Sequence, residues 1–238
     1  HVLYCPGSRS APFAYALEAG SFSGDARPIL DERGAGFAAV GLARTGALPA
    51  IVVTSGTAVA ELAPAVLEAS HARLPLLVVS ADRPGELRGV GASQATHQSG
   101  FFGMYVRASI DLEPQEASPS LVGHLARAVA AACGAPSGTP GPVQINVAFR
   151  DPLTPVRSAS DSGDEVRASF VPRPTRVMGA PAVPARWEDV VGPAVAGLIV
   201  AGEGASPRAR EWSEASGFPL LAEPASGAWR GGGVTPFE

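Results

Sequence analysis

The stretch AIVVTSGTAVAELAPAVLEASHARLPLLVVS, residues 50–80, contains the pattern that indicates the fold. Its apolar runs at 50–53 and 76–80 have the length of buried strands, and the alanine-rich segment between them, 57–70, has the length of a helix. A strand, a helix and a second strand in this order form a βαβ unit, which is typical of a parallel sheet. We expect Pro64 to kink or interrupt the helix, because proline removes a helical hydrogen bond.

The same alternation of strand-like and helix-like segments continues on both sides of this unit. Additional strands are predicted at Val2–Tyr4, Pro28–Leu30, Val106–Ile110 and Val143–Val147, and additional helices at Ala11–Ala19, Gly34–Arg44 and Ser118–Cys133. Repeated units of this kind predict an α/β domain built around a parallel sheet.

A change in composition predicts a domain boundary in the second half of the chain. From residue 151 to about 186 the sequence is rich in proline, serine, arginine and acidic residues and lacks periodicity, which is typical of a linker. Residues 197–222 then follow a strand, helix, strand pattern. We predict a first domain at 1–155, a linker at 156–186 and a partial second α/β domain at 187–238.

Composition and charge exclude several classes of function. A net charge of −4 and a pI near 5.6 argue against a surface that binds nucleic acid or anionic lipid. All 18 basic residues are arginine, so Schiff-base catalysis and a P-loop lysine are excluded for this chain. Cys5 and Cys133 lie far apart, which predicts neither a zinc site nor a disulfide framework and favours a reducing cytoplasm. No apolar run is long enough to span a bilayer.

Polar residues directly after the predicted strands are the candidate site residues, because ligands of open parallel sheets bind beyond the carboxyl ends of strands. They lie in five loops, at residues 6–10, 31–34, 54–57, 81–84 and 91–98. In the third loop, Gly56 could let the backbone approach a ligand, whereas Ser55 or Thr57 could equally be helix caps. His97 lacks a nearby nucleophile motif and is not predicted to be catalytic.

One motif favours a different class of enzyme. Residues 34–39, GAGFAA, fit the GxGxxG/A pattern of a dinucleotide-binding domain and follow a predicted strand. The strand at 50–53, however, runs into Thr54 and Ser55 and not into the acidic residue that would bind a ribose. An NAD-binding domain is therefore the weaker alternative.

Five motifs in order carry a resemblance to a known family. They are CPGSRSAP, DERGAGFAAVGLAR, TSGTAVAEL, SADRPGELRGVGASQ and QSGFFG. In sequence and spacing they resemble the 2-succinyl-5-enolpyruvyl-6-hydroxy-3-cyclohexene-1-carboxylate synthases, thiamine-diphosphate enzymes of menaquinone biosynthesis. The resemblance is close over about residues 2–150 and looser in LIVAGEG and PLLAEPASG. It implies that the first domain is the pyrimidine-binding domain of a thiamine-diphosphate-binding fold and that the second is the start of the central domain.

The resemblance also implies a role for Glu32. In the family this carboxylate hydrogen-bonds a ring nitrogen of the aminopyrimidine and stabilises the imino tautomer, whose nitrogen removes the thiazolium C2 proton. The alternative, taken from the residues alone, is that Asp31 and Glu32 only place negative charge ahead of a helix that begins near Gly34.

Further site residues are implied by matching positions. Ser8, Arg9, Arg83 and Gln94 match family positions that line the pocket for the carboxylates of 2-oxoglutarate and isochorismate, and arginine suits planar carboxylates. Ser55, Gly56 and Thr57 match the cofactor-binding segment. The chain departs from the family at Ser93, where asparagine is common, and this puts that contact in doubt.

The reaction implied is decarboxylation of 2-oxoglutarate and addition of the remaining succinyl-semialdehyde carbanion equivalent to isochorismate. The family also needs a diphosphate-binding domain, whose Gly-Asp-Gly motif and asparagine hold Mg²⁺ or Mn²⁺, and no Gly-Asp-Gly occurs here. We therefore expect a fragment that is inactive alone, from a homodimer or homotetramer with active sites between subunits. An acetolactate-synthase-like enzyme and a non-catalytic binding module remain as alternatives.

Overall fold

The computed structural model describes residues 1–19, 22–115, 118–135, 138–155 and 196–229. The chain divides into two compact units, His1–Gly179 and Ala180–Glu238. The predicted linker at 156–186 lies outside the described residues, so the predicted domain boundaries stay a prediction.

The first unit is built on a six-stranded, wholly parallel sheet, as the βαβ pattern predicted. Its strands are β1 (Val2–Tyr4), β2 (Ala26–Pro28), β3 (Ala50–Val53), β4 (Leu76–Asp82), β5 (Ala108–Leu112) and β6 (Pro142–Ala148), in the spatial order β2-β1-β3-β4-β6-β5. From β1 the chain leads to β2 on one side, and from β3 it leads to β4 on the other. The reversal opens a crevice beyond the carboxyl ends of β1 and β3, the usual ligand position in such folds.

Five helices connect these strands. They are α1 (Ala11–Glu18), α2 (Glu32–Arg44), α3 (Thr57–Glu61), α4 (Ala63–His71) and α5 (Pro119–Ala132). The predicted interruption by proline is confirmed, since α3 ends at Glu61 and Pro64 lies in the first turn of α4. Short 3₁₀ turns at Gly85–Leu87 and Gly103–Tyr105 complete the described connections.

Two predicted strands and one predicted helix were displaced by two residues. The strands β2 and β5 occupy Ala26–Pro28 and Ala108–Leu112, where Pro28–Leu30 and Val106–Ile110 were predicted. The helix α2 begins at Glu32 and not near Gly34, because Asp31 caps it. The strand was predicted from the apolar run at 28–30, which assumes that a strand is buried. The strand β2, however, lies at the sheet edge with no buried residue, and Leu30 is exposed.

Two apolar clusters form the core of this unit. The larger joins β1, α2, β3, α3, α4 and the start of β4, and includes the fully buried Ile51, Leu62 and Val66. The smaller joins α5 to β5 and β6. Burying one such aliphatic side chain contributes about 1.5–3 kcal/mol, so the central strands hold the loops at their carboxyl ends in fixed positions.

The described part of the second unit is one βαβ element, as predicted. It contains β7 (Ile199–Ala201), α6 (Arg208–Ser216) and β8 (Leu220–Ala222), and the two strands pair in parallel. Gly217, with φ of +72°, ends α6 in the left-handed conformation that glycine adopts readily. Within the ranges that the structure describes, no helix has the length and apolar character needed to cross a membrane.

Candidate active site

The loop after β1 and the loop after β3 contact each other in the crevice. A Cβ atom added to Gly7 would lie 2.4 Å from Cβ of Thr54, so the two loops approach as closely as their backbones allow. Only glycine fits at position 7 without displacing Thr54. The topology thus brings together two of the five loops predicted to form the site.

Glu32 lies at the first residue of α2, beside the end of β1. Oδ1 of Asp31 accepts the N–H of Gly34 at 2.6 Å and caps the helix, and Glu32 lies in the first turn, where its negative charge also suits the helix dipole as the alternative stated. Burial, together with the negative charges of Glu32 and then Asp31, raises the pKa of the Cys5 thiol to about 12. Among the residues that the structure describes, no donor pairs with the half-buried carboxylate of Glu32. This carboxylate is therefore available to a ligand.

Arg83 is held by two of the other predicted site residues. Its Nη1 donates to Oγ of Ser55 and, at 2.7 Å, to the backbone oxygen of Gln94. Burial and the positive charge of Arg9 lower the pKa of Arg83. The guanidinium groups of Arg83 and Arg9 thus lie near each other, together with the carboxylates of Asp82 and Asp151, which act on the pKa of Arg83 in the opposite direction.

Arg9 contributes the second of these guanidinium groups. Its Nη1 donates to the backbone oxygen of Phe149 at 3.0 Å and lies 3.8 Å from Oδ1 of Asp151, whose side chain is largely exposed. Its Nε is buried and has no hydrogen-bond partner. Buried donors without a partner are rare in folded proteins, so this atom is a candidate contact for a ligand.

Ser55, Gly56 and Gln94 form a tight contact across the crevice. Nε2 of Gln94 donates to the backbone oxygen of Ser55 at 2.9 Å. Gly56 has φ of +85°, and a Cβ atom there would lie 2.8 Å from Cγ of Gln94. Both the positive φ and the close approach of Gln94 therefore favour glycine at position 56. We call Arg9, Ser55, Arg83 and Gln94 the arginine cluster.

The remaining predicted site residues are less closely engaged. Ser8 is exposed, and its backbone oxygen accepts the N–H of Ala11 at 3.2 Å. Thr57 is exposed and is the first residue of α3, whose N-cap is Gly56 without a side-chain cap. The alternative in which Ser55 or Thr57 caps this helix is therefore wrong. His97 and Ser93 are both exposed.

A buried polar network beneath the arginine cluster was not predicted from the sequence. Asn146, fully buried on β6, accepts from Oγ of Ser80 at 2.8 Å and donates to Oδ2 of Asp82 at 2.8 Å. Gln98 joins the same network and is 1% exposed. Hydrophobic patterning does not distinguish such residues from exposed polar ones. The available signals were the positions of Asp82 and Gln98 in the candidate loops 81–84 and 91–98 and of Gln98 at the start of the QSGFFG motif.

Arg88 links this network to the backbone of Arg83. Its Nε donates to the oxygen of Arg83 at 2.9 Å and lies 3.2 Å from Oδ2 of Asp82. Its Nη1 donates to Oδ2 of Asp111 at 2.8 Å. The backbone N–H of Arg83 is in turn bound by Oδ1 of Asp82 at 2.7 Å. Charged side chains thus hold both the backbone N–H and the backbone oxygen of Arg83.

The dinucleotide-binding alternative fails on the same structure. Residues 34–39 lie inside α2, where Gly36 packs against α4 and an added Cβ would be 2.7 Å from Cβ of Ala65. The glycine serves close helix packing, and the segment forms no loop that could surround a phosphate.

Comparisons with known proteins show which proteins this chain is similar to. Residues 1–101 match the family described as thiamine pyrophosphate enzyme, N-terminal TPP binding domain. A 2-succinyl-5-enolpyruvyl-6-hydroxy-3-cyclohexene-1-carboxylate synthase of Kineococcus radiotolerans is 49% identical over 251 residues, which cover 100% of this chain and 43% of the relative. The synthase of an Arthrobacter species is 45% identical over 238 residues, covering 95% and 37%. Over nearly all of its length, this chain is similar to part of these synthases.

These similarities confirm the resemblance seen in the five motifs. The chain spans about two fifths of the length of the curated relatives it matches, 43% and 37% of the two named above. A thiamin-diphosphate-dependent enzyme from Mycobacterium smegmatis has the same fold, with a TM-score of 0.69 and 18% identity over 94% of this chain and 41% of that one. The predicted α/β thiamine-diphosphate-binding fold is thereby confirmed.

Proposed function

We propose that this chain provides the pyrimidine-binding part of a carboligase that decarboxylates 2-oxoglutarate and adds the remaining unit to isochorismate. The observation that carries the proposal is one sheet edge that presents both an available carboxylate, Glu32, and two neighbouring guanidinium groups, Arg9 and Arg83. The identity of 49% to a synthase of this name supports the same substrates.

The residues of this edge fit the pyrimidine end of thiamine diphosphate. Glu32 is half-buried beside the fully buried Cys5, where the low local polarity strengthens a hydrogen bond to a ligand. In this role Glu32 shares a hydrogen-bonded proton with a ring nitrogen of the cofactor. The bound cofactor supplies the electron sink that allows a 2-oxo acid to lose carbon dioxide. The cofactor-binding role proposed for Ser55, Gly56 and Thr57 falls to groups outside the existing contacts, because the hydroxyl and backbone oxygen of Ser55 and the N–H of Gly56 are already bound by Arg83, Gln94 and Gln98.

The arginine cluster binds and orients the acidic substrates in this proposal. Guanidinium groups bind carboxylates through paired N–H donors, and the unpartnered Nε of Arg9 is one donor that a substrate carboxylate would satisfy. Ser8 and Gln94 complete the proposed substrate-binding residues. Holding two multiply charged acids in fixed orientation converts a bimolecular step into an effectively unimolecular one.

Several elements of the active enzyme lie outside this chain in the same proposal. Mg²⁺ or Mn²⁺ and the cofactor diphosphate are held by a C-terminal domain, and each active site forms between subunits of a homodimer or homotetramer. The two cysteines are free, which supports a cytoplasmic enzyme.

The test is to assay the complete enzyme that contains this chain with 2-oxoglutarate, isochorismate, thiamine diphosphate and Mg²⁺. Formation of the succinyl-enolpyruvyl product, followed by mass spectrometry, is the expected result. Pyruvate replaces 2-oxoglutarate in the control reaction. Faster turnover of pyruvate to acetolactate would assign the acetolactate-type reaction instead, and absence of thiamine diphosphate binding would favour a non-catalytic module.

A further inference from the structure

Gln98 joins three separate segments of the sheet edge through its side chain. Its Oε1 accepts the backbone N–H of Gly56 at 2.7 Å, and its Nε2 donates to the backbone oxygen of Ala81 at 3.0 Å and to Oδ1 of Asn146 at 3.1 Å. Its backbone oxygen accepts from Nε2 of Gln144 at 2.6 Å. Every polar group of this buried side chain is therefore used inside the protein.

The contacts require an amide at this position. The carbonyl end faces a backbone donor, and the NH₂ end faces two oxygen acceptors, so the reversed orientation would place donor against donor and acceptor against acceptor. A carboxylate would keep the bond to Gly56 but would turn an acceptor toward the oxygens of Ala81 and Asn146. A thioether of the same length would lose all three bonds and leave the N–H of Gly56 buried without a partner.

The segment that Gln98 holds is the one that supports Arg83. Gly56 is fixed on one side by Gln98 and packs on the other against Gln94. The preceding residue, Ser55, contacts Arg83 through Oγ and Gln94 through its backbone oxygen. Ala81 lies two residues before Arg83 on β4, so the second bond of Gln98 fixes the strand end from which this arginine projects.

We propose that Gln98 is a positioning residue, which fixes the Ser55–Gly56 backbone and the end of β4 and thereby sets the orientation of Arg83 toward the acidic substrate. The inference rests on the proposed function in taking a carboxylate as the ligand of Arg83. Gln98 itself touches neither substrate nor cofactor, because its polar atoms are all engaged with protein groups.

The test compares Gln98→Met with Val143→Ala in the complete enzyme. Val143 is fully buried on β6 in the smaller core cluster, so its truncation loses packing without touching a polar group of the arginine cluster. For each protein, hydrogen exchange by mass spectrometry measures opening of the segment 54–57. Steady-state kinetics separate KM for 2-oxoglutarate from kcat, and calorimetry measures binding of 2-oxoglutarate directly.

Gln98→Met is expected to accelerate exchange at 54–57 and to raise KM and Kd for 2-oxoglutarate about tenfold, with a smaller change in kcat, since a misplaced binding group weakens the contact it makes. Val143→Ala is expected to lower Tm while leaving both constants near the parent values. Gln98→Glu provides a second variant that keeps the bond to Gly56. Its KM for 2-oxoglutarate should increase as pH rises, because the introduced carboxyl has one O–H, and can donate it to the oxygen of Ala81 or Asn146, only when it is protonated.

Unchanged Kd and KM in Gln98→Met would overturn the inference, as would equal changes in Val143→Ala. Failure of the proposed function gives a different pattern. In that case the parent enzyme forms no succinyl-enolpyruvyl product, while calorimetry still reports whether Gln98→Met weakens the binding of 2-oxoglutarate.

Discussion

The sheet edge holds two regions that are positioned in different ways. Glu32 is fixed by local structure, because Asp31 caps the helix that Glu32 begins and accepts a bond from a residue three positions later. The arginine cluster is fixed by contacts between residues 28, 39 and 42 positions apart in the chain, which join Arg83 to Ser55, Gln94 to Ser55 and Gln98 to Gly56. Substitution of a locally fixed residue should affect its neighbours little, whereas substitution of one residue of the arginine cluster should also displace the others.

The largest effect is expected at Glu32. Glu32→Gln keeps the shape of the side chain but removes the carboxylate, so carboligation by the complete enzyme should fall by about a thousandfold or more. Tm should stay close to that of the parent, because no described residue depends on this carboxylate for a hydrogen bond. Product formation and differential scanning fluorimetry measure the two results.

Glu61→Gln is the matched control for this variant. Glu61 is an exposed carboxylate at the end of α3, and its neutralisation should leave the rate unchanged. Near-normal activity of Glu32→Gln would remove the assigned role, and a large loss of Tm would contradict the comparison between the two regions.

The second effect is expected at Arg83. Arg83→Ala removes one of the two neighbouring guanidinium groups and leaves Oγ of Ser55 and the oxygen of Gln94 without this donor. We expect kcat/KM for 2-oxoglutarate to fall about a hundredfold, mainly through KM, because a buried charged hydrogen bond to a carboxylate is lost. Initial rates over a range of 2-oxoglutarate concentrations measure it.

Arg27→Ala removes an arginine whose side chain is 70% exposed and which pairs with Asp25 on the surface. Its kinetic constants should match those of the parent. If Arg83→Ala also leaves KM unchanged, Arg83 does not belong to the substrate pocket.

The sequence allowed the scaffold to be predicted, whereas the roles of the site residues stay a prediction and the way these residues are held was not foreseen. Apolar runs such as 50–53 and 76–80 predicted their strands, because the residues are buried and the pattern is local. The Asp31 cap shifted α2 by two residues, since capping competes with the alanine-rich pattern that suggested a start near Gly34.

The polar network was not predictable for a physical reason. Gln98 and Asn146 are separated by 48 residues, and their contact depends on the parallel pairing of β4 with β6. A buried glutamine in a loop has the same local sequence character as an exposed one. The role of Gly56 was similarly ambiguous, because only the structure shows its positive φ and the close approach of Gln94.

A glycine pair gives the third prediction and tests how tightly the arginine cluster is packed. Gly56→Ala introduces a Cβ atom 2.8 Å from Cγ of Gln94 at a residue with φ of +85°, so it should destabilise the protein by about 2 kcal/mol. Gly46→Ala, at φ of +89° with nothing within 4 Å of the added Cβ, introduces a similar backbone strain without the contact and should cost only about 1 kcal/mol. Urea unfolding measures both, and equal effects would contradict the close packing of Gly56 against Gln94.

The smallest effect is expected at Asp111, which binds Arg88, the residue that in turn binds the backbone oxygen of Arg83. Burial alone would raise its pKa, but hydrogen bonds from Arg88 and Asn146, with the charge of Arg88, outweigh burial and lower the pKa below the ordinary value of 3.8. A carboxyl whose folded-state pKa is depressed stabilises the fold above its unfolded-state pKa, and this contribution disappears as pH falls through the folded-state value.

Asp111→Asn should therefore be less stable than the parent at pH 7, by about 1 kcal/mol, because Arg88 loses its partner while Asp82 and Glu113 still face it. As pH falls below 3.8, the unfolded parent takes up a proton before the folded parent does, so the difference in free energy of unfolding should narrow until pH passes the lower folded-state pKa. Urea titrations of both proteins between pH 7 and pH 3 measure this difference. If the difference in free energy of unfolding between the two proteins stays constant over that range, Asp111 acts through packing and not through its charge. The electrostatic support of the arginine cluster would then have to come from Asp82, and its hydrogen-bonded support from Gln98.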